Sequence, residues 1–343
     1  MKKHINIPVF IPHLGCPNQC VFCNQRTISG VSDFDPDDLT DIIETALSTA
    51  DDDAEAEIAF FGGSFTGIDP ALMENLLKIA YEYVKDGRVN SIRCSTRPDY
   101  IDENILSVLG RYGVKVIELG LQSSDNGVLD ITKRGHSFAD EERAVRLIKN
   151  AGFTLVGQMM IGLPGSTAES EMKTAEFIIN SGASAARIYP TVVFHGTELA
   201  DMTKNGSYTP ISISEAVDRS AAVLLRFIDA GVDVIRIGLH ASESLASEKT
   251  YLAGPNHPAL GELVINKLYY NKIFSAASDM CLSADTVLAV FVSRGSLSKA
   301  IGQGRANRIA LIQNLGIRDV RFFESDKVVG YEILLENEEK KCT

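Results

Sequence analysis

The stretch GCPNQCVFCNQ, residues 15–25, places three cysteines within eight positions: Cys16, Cys20 and Cys23. Thiolates are the usual ligands of iron–sulfur clusters, and three of them at this spacing can wrap one corner of a cubane cluster. An electron-transfer cluster normally takes four cysteines, so three leave one iron without a protein ligand. The stretch therefore predicts a metal centre whose open position can hold a substrate or cofactor.

A structural zinc site is the alternative interpretation of the same cysteines. Zinc would need a fourth ligand, for which the sequence offers His13 or Cys94. A zinc site would leave the glycine-rich segments described below without a role, so the sequence favours the cluster.

The composition is that of an ordinary globular protein with more than one domain. The 343 residues are 45% hydrophobic and 23% charged, with a formal net charge of -12. This acidic balance argues against a nucleic-acid coat, because phosphate binding needs surplus Lys and Arg. No apolar run approaches the roughly 20 residues of a membrane span, and six cysteines in a chain of this length do not indicate a disulfide scaffold. We expect a cytoplasmic protein that contacts no membrane.

Short apolar runs alternate with amphipathic segments along the first 240 residues. This alternation is typical of strand–helix units that build a parallel sheet. We predict six such units, with strands INIPVFIP, EIAFFGG, SIRCST, VKVIELGLQ, FTLVGQMMIG and AARIYPTVV, and VDVIRIGLH as a further strand.

Polar or glycine-rich clusters follow almost every predicted strand. They are the cysteine stretch, GGSFT, STRPD, LQSSD and GLPGST. Barrels of parallel strands build their active sites at the edge where the strands end. We therefore expect these clusters to form one site.

The cysteine motif and these clusters resemble the radical S-adenosylmethionine (SAM) superfamily. The spacing CxxxCxxC, with Phe22 before the last cysteine, is similar to the signature of that superfamily. The resemblance implies an α/β fold: a partial (β/α)6 TIM-like barrel of radical SAM type. It implies a 4Fe-4S cluster on Cys16, Cys20 and Cys23 with SAM at the open iron. It also implies an enzyme that cleaves SAM reductively to methionine and a 5'-deoxyadenosyl radical, with an electron donor such as ferredoxin or flavodoxin.

The same resemblance assigns the residues that hold SAM. The backbone of GGSFT would receive the methionine ammonium, since glycine permits close approach, and Arg134 would bind the carboxylate. The Gly-Leu-Pro-Gly turn would lie under the adenine, although either glycine segment alone also fits an ordinary turn. His136 is kept as a weaker candidate, and no residue is assigned a catalytic role. The predicted cofactor-binding residues are Gly62, Gly63, Ser64, Phe65, Thr66, Gln122, Arg134, Gln158, Gly162, Pro164 and Gly165.

Within the superfamily, residues 5–240 resemble the radical SAM domain of the elongator catalytic subunit, which modifies the wobble uridine of tRNA. STRPDY, RGHS and ARIYPTVVFHGTELADMTKNGSYTP carry this resemblance, while the first cysteine interval is shorter than in that relative. We predict a barrel at 1–240, a helical extension at 241–283 and a small C-terminal α/β domain at 284–343. About 60 residues after the extension are too few for the acetyltransferase domain of the elongator subunit, so we expect no acetyl-CoA site.

The C-terminal segment is locally basic, with six Lys and Arg against one Asp from Arg294 to Arg321. Within it, SKAIGQGRANRIALIQNLG resembles the helix–loop–helix of KH domains, whose GxxG loop clamps a nucleic-acid backbone. An arginine replaces the last glycine of that loop. A small dimerisation or capping domain is the alternative. The predicted RNA-binding residues are Lys299, Gly302, Gly304, Arg305 and Arg308.

These interpretations together predict a radical SAM enzyme that modifies an RNA, with tRNA as the expected partner, at an unreactive carbon. One alternative keeps the radical chemistry but assigns a small-molecule substrate such as a tetrapyrrole, and it predicts no RNA affinity. The other is a non-catalytic iron–sulfur protein that binds RNA, and it predicts a cluster indifferent to SAM.

Overall fold

The computed structural model of the chain describes residues 4–11, 14–16, 20–24, 34–51, 54–239 and 250–337. The chain forms two compact units. The first comprises Met1–Ser212 and Arg226–Pro258, and the second comprises Ile213–Leu225 and Ala259–Thr343.

The first unit is built on a parallel sheet. Its strands are β1 (His4–Phe10), β2 (Glu55–Phe61), β3 (Ser91–Thr96), β4 (Val114–Gln122), β5 (Thr154–Ile161), β6 (Ala185–Pro190), β7 (Val193–Phe194), β8 (Asp233–Ile237) and β9 (Tyr251–Ala253). Seven of them pair in the order β1-β2-β3-β4-β5-β6-β8, all parallel, while β7 and β9 form a short antiparallel pair. The predicted α/β fold with a partial barrel is confirmed, and VDVIRIGLH supplies the seventh strand.

Most of the helices that follow these strands begin after a residue whose side chain binds a free amide of the first turn. Asp69 and Asp102 accept from the amides three residues ahead, and Ser137 and Thr167 each form a capping box. The sequence does not predict the short helices Asn126–Ile131 and Glu198–Lys204, because each has too few residues to show an apolar period. The helices are α1 (Leu39–Ser48), α2 (Pro70–Lys85), α3 (Glu103–Arg111), α4 (Asn126–Ile131), α5 (Phe138–Asn150), α6 (Ala168–Asn180), α7 (Glu198–Lys204) and α8 (Ile213–Asp229).

Gly157 on β5 shows which face of the sheet meets a helix. A Cβ at Gly157 would lie 2.7 Å from the side chain of Ile178 on α6, so only glycine fits there. Because side chains alternate along a strand, the next residue, Gln158, points to the opposite face of the sheet. The two faces therefore differ, one covered by helices and one carrying polar side chains.

The second unit contains residues 213–225 of α8, together with α9 (Leu260–Ser278), β10 (Val287–Val292), α10 (Leu297–Ile301), α11 (Ala306–Leu315), β11 (Asp319–Glu324) and β12 (Ile333–Asn337). The sheet order is β11-β10-β12, with β10 and β11 parallel and β12 antiparallel. Strand β10, helices α10 and α11, and strand β11 follow one another directly, and residues 302–305 form the turn between the two helices. This order is compatible with the predicted helix–loop–helix.

Helix α9 belongs to the segment predicted as a helical extension, yet it shares a core with the C-terminal sheet. Tyr269 and Ile273 pack in one cluster with Leu288, Leu311 and Val320. The division into barrel, extension and C-terminal domain stays a prediction. Among the described residues, no helix is long and apolar enough to span a membrane.

The buried strand core gives a first testable outcome. Ile58 on β2 is fully buried, whereas Ile235 on β8 is 45% exposed. Ile58→Ala should lower the free energy of unfolding by about 2–5 kcal/mol, because it leaves a cavity. Ile235→Ala, the same chemical change on an exposed strand, should stay within about 0.5 kcal/mol of the parent. Urea unfolding followed by circular dichroism measures both, and equal losses would contradict the assigned core.

Candidate functional site

The loop after β1, which carries the cysteines, lies directly against the glycine-rich segment after β2. A Cβ on Gly15 would stand 2.1 Å from the carbonyl oxygen of Ser64, and one on Gly63 would stand 2.5 Å from that of Leu14. A Cβ on Gly67 would stand 2.3 Å from the carbonyl oxygen of Gly15. No side chain fits at these distances, so the glycines allow two backbone segments to touch.

The three cysteines share this loop. Cys20 is buried, Cys16 and Cys23 are half-buried, and none of the described cysteines forms a disulfide. The Nη1 of Arg134 donates to the Sγ of Cys20 at 3.3 Å. Among the described residues, no three His, Cys, Asp or Glu side chains form a group that could hold a metal ion. The assignment of the three cysteines as cluster ligands therefore stays a prediction.

Opposing effects act on the thiol of Cys16. Burial and the neighbouring Cys20 raise the pKa of Cys16, while the charges of Arg97 and Arg134 and a backbone hydrogen bond from Ser64 lower it. The net result is a pKa above the ordinary value for the thiol. The two arginines thus favour the thiolate form that a metal ligand requires.

The zinc alternative gains no support from the structure. Cys94 on β3 is fully buried, and burial, followed by the charge of Glu118, raises its pKa to about 12. A thiol with that pKa is protonated at neutral pH and is a poor metal ligand. His13, the other proposed fourth ligand, lies outside the described residues.

Arg97, the middle residue of STRPD and the first residue after β3, is not among the predicted site residues. Its side chain is 5% exposed, and its Nε and Nη2 donate to Asp99 at 3.0 and 2.9 Å. Nη2 also donates to the backbone oxygen of Arg134. The sequence signal was an arginine directly after a buried strand, in a cluster already expected at the active edge.

The side chains of the GGSFT segment are used by the protein itself. Ser64 is fully buried and its Oγ lies 3.0 Å from the Oγ1 of Thr96, which also bonds Thr66. Phe65 stacks on Phe60 with ring centroids 4.4 Å apart. The segment therefore offers its backbone, including Gly62 at φ +99°, rather than its side chains.

Gln122 ends β4 in a left-handed conformation, with φ +72°. The register with β5 shifts between Gly120 and Gln122, and the Nη2 of Arg134 donates to the Gly120 oxygen at 2.6 Å. A residue with a side chain costs about 1–2 kcal/mol in this conformation. Such an observed outlier at the predicted edge points to a functional constraint.

Gln158 belongs to a charged network that the sequence does not predict. Its Nε2 donates to Glu118 at 2.8 Å. Glu118 on β4 is fully buried and also accepts from Arg93 on the neighbouring strand β3 at 2.8 Å and from Arg187 on β6, two strands away, at 2.9 Å. The available signal was a charged residue near the middle of the apolar strands β3, β4 and β6, on the face opposite Gly157.

The charge of Glu118 is set by two competing effects. Burial alone would raise its pKa, but Arg187 and Arg93 outweigh burial and hold the pKa below the ordinary value. The carboxylate is therefore ionised at neutral pH and links its own strand β4 to β3, β5 and β6.

The Gly-Leu-Pro-Gly turn after β5 is also engaged by the protein. The amide of Gly162 donates to Glu171 at 2.7 Å, and its carbonyl accepts from the hydroxyl of Tyr208 at 2.7 Å. Pro164 is buried, whereas Gly165 is exposed with φ +81°. An adenine could therefore contact the outer surface of this turn. It could not use the amide and carbonyl of Gly162, because both are already hydrogen-bonded.

His136 lies beside the arginines and is buried. Burial, Arg134 and Arg97 lower its pKa to about 3, so the imidazole is neutral. Its Nε2 lies 3.1 Å from Glu141, whose pKa is raised well above its usual range by burial. The imidazole is therefore a neutral hydrogen-bonded neighbour of Glu141 and not a cation of the site.

The predicted RNA-binding residues lie in the second unit and differ in their surroundings. Gly302, Gly304 and Arg305 all have positive φ, and Arg305 is exposed. Lys299 lines a cavity of about 480 Å³ with Ser293, Ser296 and Ser325.

Arg308 has a different role from its neighbours in that prediction. It donates to the Val320 oxygen at 3.0 Å and to Asp319 at 2.7 Å, so its side chain holds β11.

Comparison with known proteins settles the family. The sequence profile of the Radical SAM superfamily matches residues 10–178, and that of the Radical_SAM C-terminal domain matches residues 183–270. The chain belongs to the radical SAM superfamily. It is accordingly an enzyme of that superfamily, which uses a 4Fe-4S cluster and SAM.

Curated relatives of this radical SAM enzyme include proteins named for tRNA. The chain is 32% identical over 158 residues to a tRNA uridine(34) acetyltransferase of Methanocaldococcus jannaschii, a match that covers 45% of this chain and 29% of the relative. It is 31% identical over 196 residues to human Elongator complex protein 3, covering 55% of this chain and 35% of the relative. The chain thus spans about a third of the length of these relatives.

Solved structures show the same fold. Archaeal Elp3 of Methanocaldococcus infernus superposes with a TM-score of 0.63 at 23% identity, covering 82% of this chain and 65% of that one. Coproporphyrinogen III oxidase of Escherichia coli superposes with a TM-score of 0.50 at 17% identity, covering 67% and 53%. Both confirm the radical SAM barrel.

The residues near the cysteines fit the two groups that the superfamily binds. Thiolates are the soft donors that iron–sulfur clusters take. Among the described residues, Arg97 Nη1 and Arg134 Nε are buried and lack a hydrogen-bond partner. A buried donor without a partner is costly, so an anionic group at this place would stabilise both arginines.

The Glu118 network gives a prediction for stability and pH. Glu118→Gln leaves Arg93 and Arg187 without their shared charge and should cost about 3–5 kcal/mol of unfolding free energy. Because the folded pKa is depressed, the carboxylate contributes stability above its unfolded pKa of about 4.3, and that contribution is lost as pH falls through the folded value. The variant should therefore show a flatter acid limb in a plot of stability against pH.

Glu44 supplies the matched control for that measurement. It also binds an arginine through two oxygens, Arg88 at 2.7 and 2.6 Å, but on the exposed surface. Glu44→Gln should change stability far less, because solvent and salt screen the pair. Equal effects of the two substitutions would contradict the role assigned to Glu118.

Proposed function

We propose that this radical SAM enzyme acts on RNA, and that the RNA is a tRNA. The observation that carries the proposal is the similarity to relatives named tRNA uridine(34) acetyltransferase, at 32% identity over 158 residues. That match covers under half of this chain, so the proposal takes from those relatives the class of substrate and not their whole reaction.

The cofactor residues of the proposal are those that the sequence predicted. When bound, the cluster and SAM supply a carbon-centred radical that removes a hydrogen atom from the substrate, or adds to it. Arg134 is positioned by Gly120 and Cys20, and its buried Nε is available for the carboxylate of SAM. The proposed ligands are Cys16, Cys20 and Cys23 for the cluster, and the backbone of Gly62–Thr66, Gln122, Arg134, Gln158 and the surface of Gly162–Gly165 for SAM.

The RNA contact of the proposal lies on the turn between α10 and α11. Arg305 is exposed, and no side-chain partner binds it among the described residues. Lys299 lies on the preceding helix and lines the cavity of about 480 Å³. Arg308 is left out of the contact, because its guanidinium is bound to β11. Cations whose charge is not neutralised are the ones that bind phosphates.

The substrate proposal is tested in cells and in vitro. Total tRNA nucleosides from a strain that lacks the protein should show a changed mass for at least one nucleoside. The reconstituted holoenzyme with SAM and dithionite should form more 5'-deoxyadenosine with tRNA from that strain than with tRNA from the parent. An unchanged nucleoside profile and no stimulation by tRNA would contradict the RNA substrate and favour a small molecule.

Arg305 provides a sharp test of the RNA contact. Arg305→Gly removes the charge and also relieves a left-handed residue, so binding should weaken while the protein becomes no less stable. The salt dependence of tRNA binding should fall by about one unit in log–log slope, as for one lost phosphate contact. Arg318→Gln, an equal charge change directly before β11, should leave affinity and slope nearly unchanged. Filter binding at several salt concentrations measures both, and equal effects would remove Arg305 from the contact.

Gln122 provides a separate test of the SAM contact. Gln122→Gly relieves the left-handed strain but removes the amide, so SAM should bind roughly tenfold more weakly, equivalent to ~1.4 kcal/mol. Arg305→Gly relieves the same kind of strain in the other unit and serves as the control. Equilibrium dialysis of the cluster-loaded protein against SAM measures the dissociation constants. Unchanged affinity in Gln122→Gly would show that the conformation serves the fold alone.

A further inference from the structure

Arg97 joins three parts of the candidate site through one side chain and its amide. Its backbone amide makes a long hydrogen bond, 3.4 Å, to the Oγ of Ser64 in the glycine-rich segment. Its Nη2 donates to the backbone oxygen of Arg134. The residue therefore fixes the position of both segments relative to the end of β3.

The geometry of these bonds requires a guanidinium. Nε and Nη2 both donate to the carboxylate of Asp99, and Nη2 also donates to the backbone oxygen of Arg134. A guanidinium presents its donors in a rigid planar fork, whereas a lysine ammonium is a single point charge on a flexible stem. Lysine could keep the charge, but it could not hold both partners in this arrangement.

The remaining donor of Arg97 is the observation that points to a ligand. The side chain is 5% exposed, and Nη1 is buried without a hydrogen-bond partner among the described residues. After Asp99, the groups that interact electrostatically with Arg97 are Cys20 and Cys16. The positive charge thus lies beside the sulfurs, in a part of the protein where water does not screen it.

We propose that Arg97 is a positioning residue of the cofactor site, which holds Arg134 in place and provides positive charge beside the cluster. The positioning of Arg134 bears on SAM, and the charge bears on the reduction potential of the cluster. Both roles rest on the proposed cofactor site and not on the identity of the substrate. They stand even if RNA is not the substrate.

The charge role is tested by the midpoint potential of the cluster. Arg97→Gln should shift the potential to a more negative value, because the reduced cluster carries one more negative charge and loses a neighbouring cation. Arg97→Lys keeps the cation, and its potential should stay close to that of the parent. Electron paramagnetic resonance during a redox titration of the reconstituted protein gives the potential, and iron analysis confirms equal loading.

The positioning role is tested by SAM binding in the same variants. Both Arg97→Gln and Arg97→Lys should weaken SAM binding at least tenfold, because neither side chain can hold Asp99 and the oxygen of Arg134 together. The spectral change of the reduced cluster on adding SAM should weaken in parallel. Arg88→Gln removes an arginine that also grips a carboxylate, Glu44, on the surface. It should match the parent in both measurements.

Two results would overturn the proposal. Parent-like potential and parent-like SAM affinity in Arg97→Gln would show that Arg97 is only part of the fold. If Arg97→Gln does not fold, Arg97→Lys decides, because parent-like SAM affinity in that variant removes the positioning role. Loss of tRNA stimulation alone, with both readouts as expected, would count against the RNA substrate and leave Arg97 in place.

Discussion

The contact between two backbones at the ends of β1 and β2 is the constraint on which the site depends. Gly15, Gly63 and Gly67 each stand where a Cβ would lie 2.1–2.5 Å from a carbonyl oxygen of the other segment. Because no side chain separates them, the cysteine loop is held against the glycine-rich segment rather than above it. That position brings Cys16 and Cys20 close to the arginines that follow β3 and β4. A larger residue at any of these glycines would displace the cysteine loop and move the thiols away from the arginines.

The arginines near the sheet differ in the group that neutralises their charge. Arg93 and Arg187 share Glu118, and Arg97 binds Asp99. Arg134 has no carboxylate within salt-bridge distance among the described residues, and its partners are the Gly120 oxygen and the sulfur of Cys20. The positive excess therefore lies at the cysteine end of the site. A thiolate-bound cluster and the carboxylate of SAM are the anions that this excess suits.

The sequence predicts the features that depend on neighbours along the chain. Strands, caps and glycine turns follow from local patterns, as with the capping boxes at Ser137 and Thr167. The Glu118 network and Arg97 depend on residues far apart in sequence, for example Arg187 with Glu118, and no local pattern shows which partner a charged residue will find. Arg308 illustrates the same limit, since a basic residue in a basic segment gave no sign that Asp319 would bind it. The core that α9 shares with the C-terminal sheet also joins residues far apart in sequence, so no local pattern predicts it.

Buried donors without a partner distinguish Arg97 and Arg134 from the residues of the glycine-rich segments. Ser64, Phe65, Thr66 and Gly162 match the predicted motif, yet their polar or aromatic groups are already bound within the protein. A group that is already bound within the protein can shape a site, but a ligand gains little binding free energy from it. Arg97 and Arg134 each keep a buried donor without a partner. Since folding leaves such donors unsatisfied only at a cost, their persistence at the cysteine end indicates that a bound group completes the structure there.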